Sequence, residues 1–208
     1  MNIEVPQQLE SLWKQAVELW LAGGWAMIAI AAVAVLMFSL GINIYLRLAG
    51  KGFGFVSETK WRRWLDHPEQ RRGPIGRLLD RVTEGESVKQ TEVLFEEVQA
   101  TEVKPFERDL LVMKVCVAAA PLLGLLGTVT GMVATFDALT QGSGGDETQG
   151  MVASGISEAL ITTETGLVIA LAGLFFQYQL VRKHQRYKAF IAQIHTVCTQ
   201  RVYHAKHQ

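Results

Sequence analysis

Residues 155–181, GISEALITTETGLVIALAGLFFQYQLV, read as one helix that contradicts itself. From Ala159 to Val181 the run is apolar and long enough as a helix to cross a hydrocarbon core of about 30 Å. It nevertheless carries Glu164 and the hydroxyls of Thr162, Thr163 and Thr165. At about 100° per residue, Thr162 and Thr165 return to nearly the face of Glu158, while Thr163 and Glu164 point away on opposite sides. Polar groups therefore surround this turn. An ionised carboxylate at mid-span costs at least about 3 kcal/mol in lipid, so protein or water has to enclose the helix on more than one side. One three-span chain offers too few helices for that. An oligomer or a partner span is expected.

Working outward, Trp25 to Leu46 and Val115 to Phe136 contain no Asp, Glu, Lys or Arg, and each is long enough to span. The expected fold is all-α: an integral membrane protein with three transmembrane helices, the rear two extending into a cytoplasmic helical region. The 20 basic and 20 acidic side chains cancel, so no global field points to nucleic acid or to an acidic substrate. Their placement is asymmetric. Apart from Lys14, every Lys and Arg lies between Arg47 and Lys114 or after Val181, and the segment from Asp137 to Glu158 has none. The positive-inside rule then puts that segment and the N-terminus outside and the C-terminus in the cytoplasm, as in a multi-pass protein of a bacterial inner membrane. The first apolar run has no basic leader and is followed by Arg47 and Lys51, so it reads as a retained anchor.

The organisation expected is an outer interfacial amphipathic helix over 1–23, spans over 24–48, 110–139 and 153–182, a cytoplasmic helical region over 49–109, a periplasmic loop over 140–152 and a basic cytoplasmic tail over 183–208. In the first segment Leu9, Leu12, Trp13, Ala16, Val17, Trp20 and Leu21 recur near helical spacing, and Trp rings suit the headgroup zone. In the cytoplasmic region Trp61, Trp64 and Leu65 share a helical face; Arg62, Arg63, Arg71 and Arg72 suit either anionic lipid or a solvated surface. Pro105 is expected to kink or restart the helix that enters the second span. The stretch QGSGGDETQG is turn chemistry, and with no preceding strand and no Gly-Lys-Ser/Thr it is a poor phosphate cradle. Cys116 and Cys198 lie in different environments and read as plain thiols. His184, His195, His204 and His207 read as surface residues, and neither a cofactor nor a metal site is expected.

The second span, CVAAAPLLGLLGTVTGMVATF, has Gly124, Gly127 and Gly131 at i, i+3 and i+7. Small residues so spaced let helices approach closely, and helix packing is their expected role. Thr128, Thr130 and Thr135 suit back-bonding to carbonyls one turn earlier as well as they suit a pore. Glu158 stands between a solvated carboxylate at the outer helix end and an ion-pathway group. For Glu164, Lys114 is the nearest basic residue on a rear span, but it lies toward the other end, so direct pairing is not expected.

At this level of detail the chain resembles the ExbB/TolQ/MotA proton-channel subunits, and ExbB most closely. The matching stretches are APLLGLLGTVTGMVATF, Ala120 to Phe136, and GISEALITTETGL, Gly155 to Leu167. The resemblance implies a homo-oligomer, a pentamer, around two single-span partners of the ExbD/TolR kind, each bringing a membrane Asp, in a lipid bilayer. It implies an ion pathway in which Glu158 draws cations toward the outer mouth and Thr128 and Thr163 hydrogen-bond the partner's Asp. Turning of one component against the other would pass work to a TonB-like energy transducer. Beyond what the resemblance implies, Glu164, Thr162 and Thr165 are candidates for additional ion-pathway or partner contacts. Glu164 and Thr165 stand where the family pattern has small or apolar residues, and Ala172 where proline is common, which leaves proton and sodium both open. A TolQ-like subunit, a flagellar-stator-like subunit and a passive scaffold are the alternatives. Enzymatic activity is not expected, because the spans hold neither His nor a pair of Asp.

Overall fold

The computed structural model describes residues 23–85, 87–141 and 145–206, together with Lys14, Val17 and Trp20. The amphipathic helix expected near the N-terminus therefore lies largely outside the described residues; Lys14, Val17 and Trp20 have helical backbone and are exposed. Among the described residues all regular structure is helical: α1 (Gly24–Gly50), α2 (Glu58–Asp66), α3 (Gly73–Thr83), α4 (Val88–Val98), α5 (Lys104–Gln141) and α6 (Asp146–Lys206), with short 3-10 turns at Phe53–Phe55 and Pro68–Gln70. Among the described residues three helices, α1, α5 and α6, are long and apolar enough to cross a membrane.

The helix bounds add detail to the expected organisation. The loop expected over 140–152 is mostly helix, because α5 runs to Gln141 and α6 begins at Asp146. Gly145, immediately before α6, takes φ 109°, a conformation open to glycine. The tail expected over 183–208 is the continuation of α6, which has 61 residues and rises about 90 Å, far more than a bilayer requires. Pro105, expected to kink or restart its helix, follows a π-helical turn at Gln99–Val103 in which the Lys104 N–H bonds to the Gln99 carbonyl. Proline supplies no N–H and its ring crowds the carbonyl four residues earlier. The wider turn accommodates this, and helical backbone passes from α4 into α5 without a break.

The chain divides into two compact units, residues 1–38 with 114–175 and residues 39–113 with 176–208. The first is built from the apolar parts of α1, α5 and α6. The hydrogen side of Gly173 faces Met37 and Val117, and Ala26, Met27 and Ile30 are buried on α1.

The second unit has an aromatic core. Trp61 and Trp64 are buried, and Trp61 meets Phe190 edge-on at 6.3 Å between centroids. Along α6, Tyr187, Ile191, Ile194 and Cys198 recur at helical spacing and are all buried, so this stretch is core. Burial pushes the Cys198 thiol up to about 11, leaving it a protonated, unreactive group. Arg71, expected at a lipid-facing or solvated surface, is instead turned inward: its Nε donates to the Trp64 carbonyl at 2.8 Å and its guanidinium to Asp80 and Thr83, both at 2.9 Å. It ties α2 to α3.

His184 and His195 also depart from the surface reading. His184 is 2% exposed and lies 6.0 Å from the Phe106 ring, while His195 is half-buried and lies 4.5 Å from the Phe95 ring, tilted at 55° to it. The Nε2 of each is buried without a partner. Desolvation lowers the His184 pKa, against the opposing pull of Glu107 and with a push from Lys188. The folded form therefore binds this proton more weakly than the unfolded chain does, so stability is complete above the ordinary histidine value of about 6.5 and falls as pH drops through and below it. The thermal unfolding midpoint of the full chain in detergent is expected to fall from pH 8 to pH 5.5, and His184→Phe is expected to flatten that dependence. A midpoint rising with acid would contradict the assignment.

Candidate functional site: the seam between the second and third apolar helices

The first unit brings the two sequence motifs together along one seam of α5 and α6. Gly124, Gly127, Gly131 and Thr135 on α5 are buried, as are Gly155, Ala159, Thr162 and Gly166 on α6. The order is antiparallel. A methyl built on Gly166 would meet the Ala120 carbonyl oxygen at 2.7 Å, one on Gly124 the Thr162 carbonyl at 3.0 Å, and one on Gly131 the Gly155 carbonyl at 2.7 Å. Such approaches, far inside ordinary carbon contacts, show backbones touching with no side chain between them. This is how apolar helices associate when burial from lipid supplies no driving force. Gly127 faces the side chain of Thr162, and Gly155 the hydroxyl of Thr135. Ala120, Thr135, Gly155 and Gly166 were not singled out as seam residues by their spacing, although small residues recurring on both helices were a visible signal.

The hydroxyls separate by how they are satisfied. Thr162 is fully buried and its hydroxyl bonds to the Glu158 and Ala159 carbonyls at 3.0 Å; Thr165 bonds to Ile161 at 2.8 Å and Thr135 to Gly131 at 2.9 Å. These are local bonds within one helix, and they make polar groups tolerable among apolar neighbours. Thr128, half-buried, donates to the Leu125 carbonyl at 2.6 Å. Thr163 differs in reaching across: its hydroxyl is shared between the Ala159 carbonyl at 3.1 Å and the Gly124 carbonyl of α5 at 3.2 Å. Thr128 and Thr163 thus address successive carbonyls of α5, Leu125 and Gly124. With their protons held by backbone, both oxygens are left as acceptors.

The two carboxylates stand apart. Glu158 is half-buried and its carboxylate lies against Gly24, the first residue of α1, where φ is +60° and a Cβ would collide with it. Thr163 lies on the other edge of the buried face, as the 100° step between residues requires, so Glu158 and Thr163 face different neighbours within the chain. Glu164 is exposed, on the stripe that also presents Leu160, Leu167, Val168 and Leu171. The first unit gives it no enclosure. Among the described residues no group of three or more His, Cys, Asp or Glu side chains is arranged to hold a metal ion.

Residues 70–193, more than half of the chain, match the MotA/TolQ/ExbB proton channel family. Two Synechocystis proteins are also similar. The biopolymer transport protein ExbB-like 1 is 41% identical over 102 residues, covering 47% of this chain and 40% of the relative. ExbB-like 3 is 34% identical over 93 residues, covering 45% of this chain and 44% of the relative. The matches thus span less than half the length of these curated relatives. Together with the glycine seam and the hydroxyls set along it, the family match identifies the chain as a membrane protein that belongs to the MotA/TolQ/ExbB proton channel family.

Proposed function

We propose that this chain is the ring-forming subunit of an inner-membrane motor that uses the proton motive force to energise transport across the outer membrane. Five copies surround two single-span partners of the ExbD/TolR kind, and work passes to a TonB-like protein. The observation that carries the reading is the Thr163 hydroxyl. It sits at the edge of the seam with its proton committed to backbone carbonyls, so its oxygen is an acceptor facing the next occupant. Such an oxygen binds a protonated carboxyl better than an ionised one. Thr128 offers a second acceptor of the same kind. A partner Asp is therefore held when it carries a proton and released when it does not, and Glu158 attracts cations toward it. In this arrangement the N-terminus is periplasmic and the C-terminus cytoplasmic, following the basic residues of the second unit.

Assembly is supported separately by Glu164. A carboxyl side chain exposed on a leucine-lined face is costly against hydrocarbon, by about 3 kcal/mol for a charged group at mid-span, and a neighbouring chain that covers it removes that cost. Liposomes containing this chain and its single-span partner test the function. Proton uptake under an imposed gradient is expected to fall to background with Thr128→Ala and with Glu158→Ala; unchanged uptake in both would favour a passive scaffold. Driving the same liposomes with sodium separates the two ions. The mass of the detergent-solubilised complex is expected to correspond to five copies, and a stable monomer would remove the argument for enclosure.

A further inference from the structure

The second unit carries a groove of about 480 Å³ at the level where the charge-free runs of α1 and α6 end. Its apolar wall is made of Tyr45, Phe53, Phe176 and Leu180, and its other wall of Arg182, Lys183 and Arg186. Among the described residues no acidic side chain lines it. Lys183 reaches over the Tyr45 ring, with its ammonium 4.0 Å from the centroid. Arg182 and Arg186, one helical turn apart and both exposed, have no ion-pair partner among the described residues. The contrast with nearby cations is informative: Arg47 is paired with Asp109 at 3.0 Å, Lys188 with Glu107 at 2.7 Å, and Lys51 with Glu102. Three cations have thus been left unneutralised beside an apolar trough.

We infer that this groove is a binding site for an anionic phospholipid of the leaflet that meets the basic end of α6. The geometry matches the two halves of such a molecule. Tyr45, Phe176 and Leu180 belong to the apolar runs and lie at acyl-chain depth, where an aromatic ring with a polar edge marks the interface. Arg182, Lys183 and Arg186 follow at once beyond the last apolar residue, at headgroup depth, where each Lys or Arg near an anionic surface strengthens binding roughly fivefold. Lys183 is held in place by the ring, so less side-chain freedom is lost on binding a phosphate. A zwitterionic lipid fills the trough but leaves the three cations without a net counter-charge.

The site rests on the membrane reading of these helices, not on ion conduction, and can be tested apart from it. Full-length chain in mild detergent is titrated with phosphatidylglycerol, with phosphatidylethanolamine of the same acyl chains, and with soluble glycerol phosphate, and bound lipid is counted by native mass spectrometry. Phosphatidylglycerol is expected to bind at least about tenfold more tightly than phosphatidylethanolamine, and glycerol phosphate alone much more weakly, because both halves of the groove contribute. Arg182→Gln with Arg186→Gln is expected to abolish the preference, whereas Arg77→Gln with Arg81→Gln, the same charge change at exposed residues outside the groove, retains it. Equal binding of the two lipids, or a preference unchanged by the groove variant, would overturn the proposal. So would exclusion of every lipid, with Gly54→Cys cross-linking to a second copy, which would make the groove a subunit interface.

Discussion

Gly166→Leu is expected to separate the two rear helices of the first unit and cost at least about 3 kcal/mol of stability. The reason is what stands opposite. A Cβ at Gly166 meets the Ala120 carbonyl oxygen at 2.7 Å and the Gly124 Cα at 3.2 Å, and both are backbone atoms of a helix that cannot swing aside as a long side chain would. Relief requires moving α5 as a body, and that movement also lengthens the contacts at Gly124, Gly127 and Gly131 and the Thr163 bond to the Gly124 carbonyl. A control removes the objection that any large residue in a helix is harmful. Gly150 lies in α6, is exposed and has nothing within 4 Å of a built Cβ, so Gly150→Leu is expected to be neutral or mildly stabilising through better helix propensity. Size-exclusion profiles after a series of heating steps compare the two. Equal heat resistance would show that the seam is not what holds these helices.

Thr163→Val is expected to eliminate ion flux while leaving the chain folded. Valine keeps the shape and removes one interhelical hydrogen bond, whose net worth is about 1 kcal/mol, small beside the packing along the seam. If the hydroxyl serves an ion or a partner carboxyl, flux falls at least about a hundredfold while the amount of assembled complex changes little. Thr162→Val supplies the comparison within one turn of the same helix. Thr162 is fully buried, satisfied by the Glu158 and Ala159 carbonyls, and packed against Gly127, so it presents nothing to a passing ion. Its loss is expected to leave flux within about twofold. Equal flux in both variants would remove Thr163 from the pathway and leave it a packing residue; flux lost equally in both would point to the seam itself as the sensitive element.

The four polar residues that opened the sequence reading have separated into distinct environments. Thr162 and Thr165 are satisfied by their own helix, and Thr163 crosses to α5. Glu164 looks outward from a leucine stripe, which a helical wheel also places opposite Thr162. The wheel could not say which face is the inner one. That needed α5, because in a membrane span the side facing lipid is as apolar as the side packed on another helix, so apolar periodicity alone does not tell them apart. The contact of Glu158 with Gly24 is equally invisible in sequence, since the two residues are far apart along the chain and nothing about either announces the other.

Long charge-free runs, the one-sided distribution of Lys and Arg and two uninterrupted motifs are properties of the chain itself, and they determine an all-α membrane protein and its family without coordinates. Glycine spacing likewise announces close helix packing, because removing Cβ atoms at helical intervals has one main physical use. The partners of those glycines, the inward turn of Arg71, the burial of His184 and the conversion of an expected basic tail into aromatic core belong to the tertiary structure alone. Each depends on which other helix lies opposite. A cation reads the same in sequence whether it finds a carboxylate, as Arg71 finds Asp80, or is left beside an apolar trough, as Arg182 and Arg186 are.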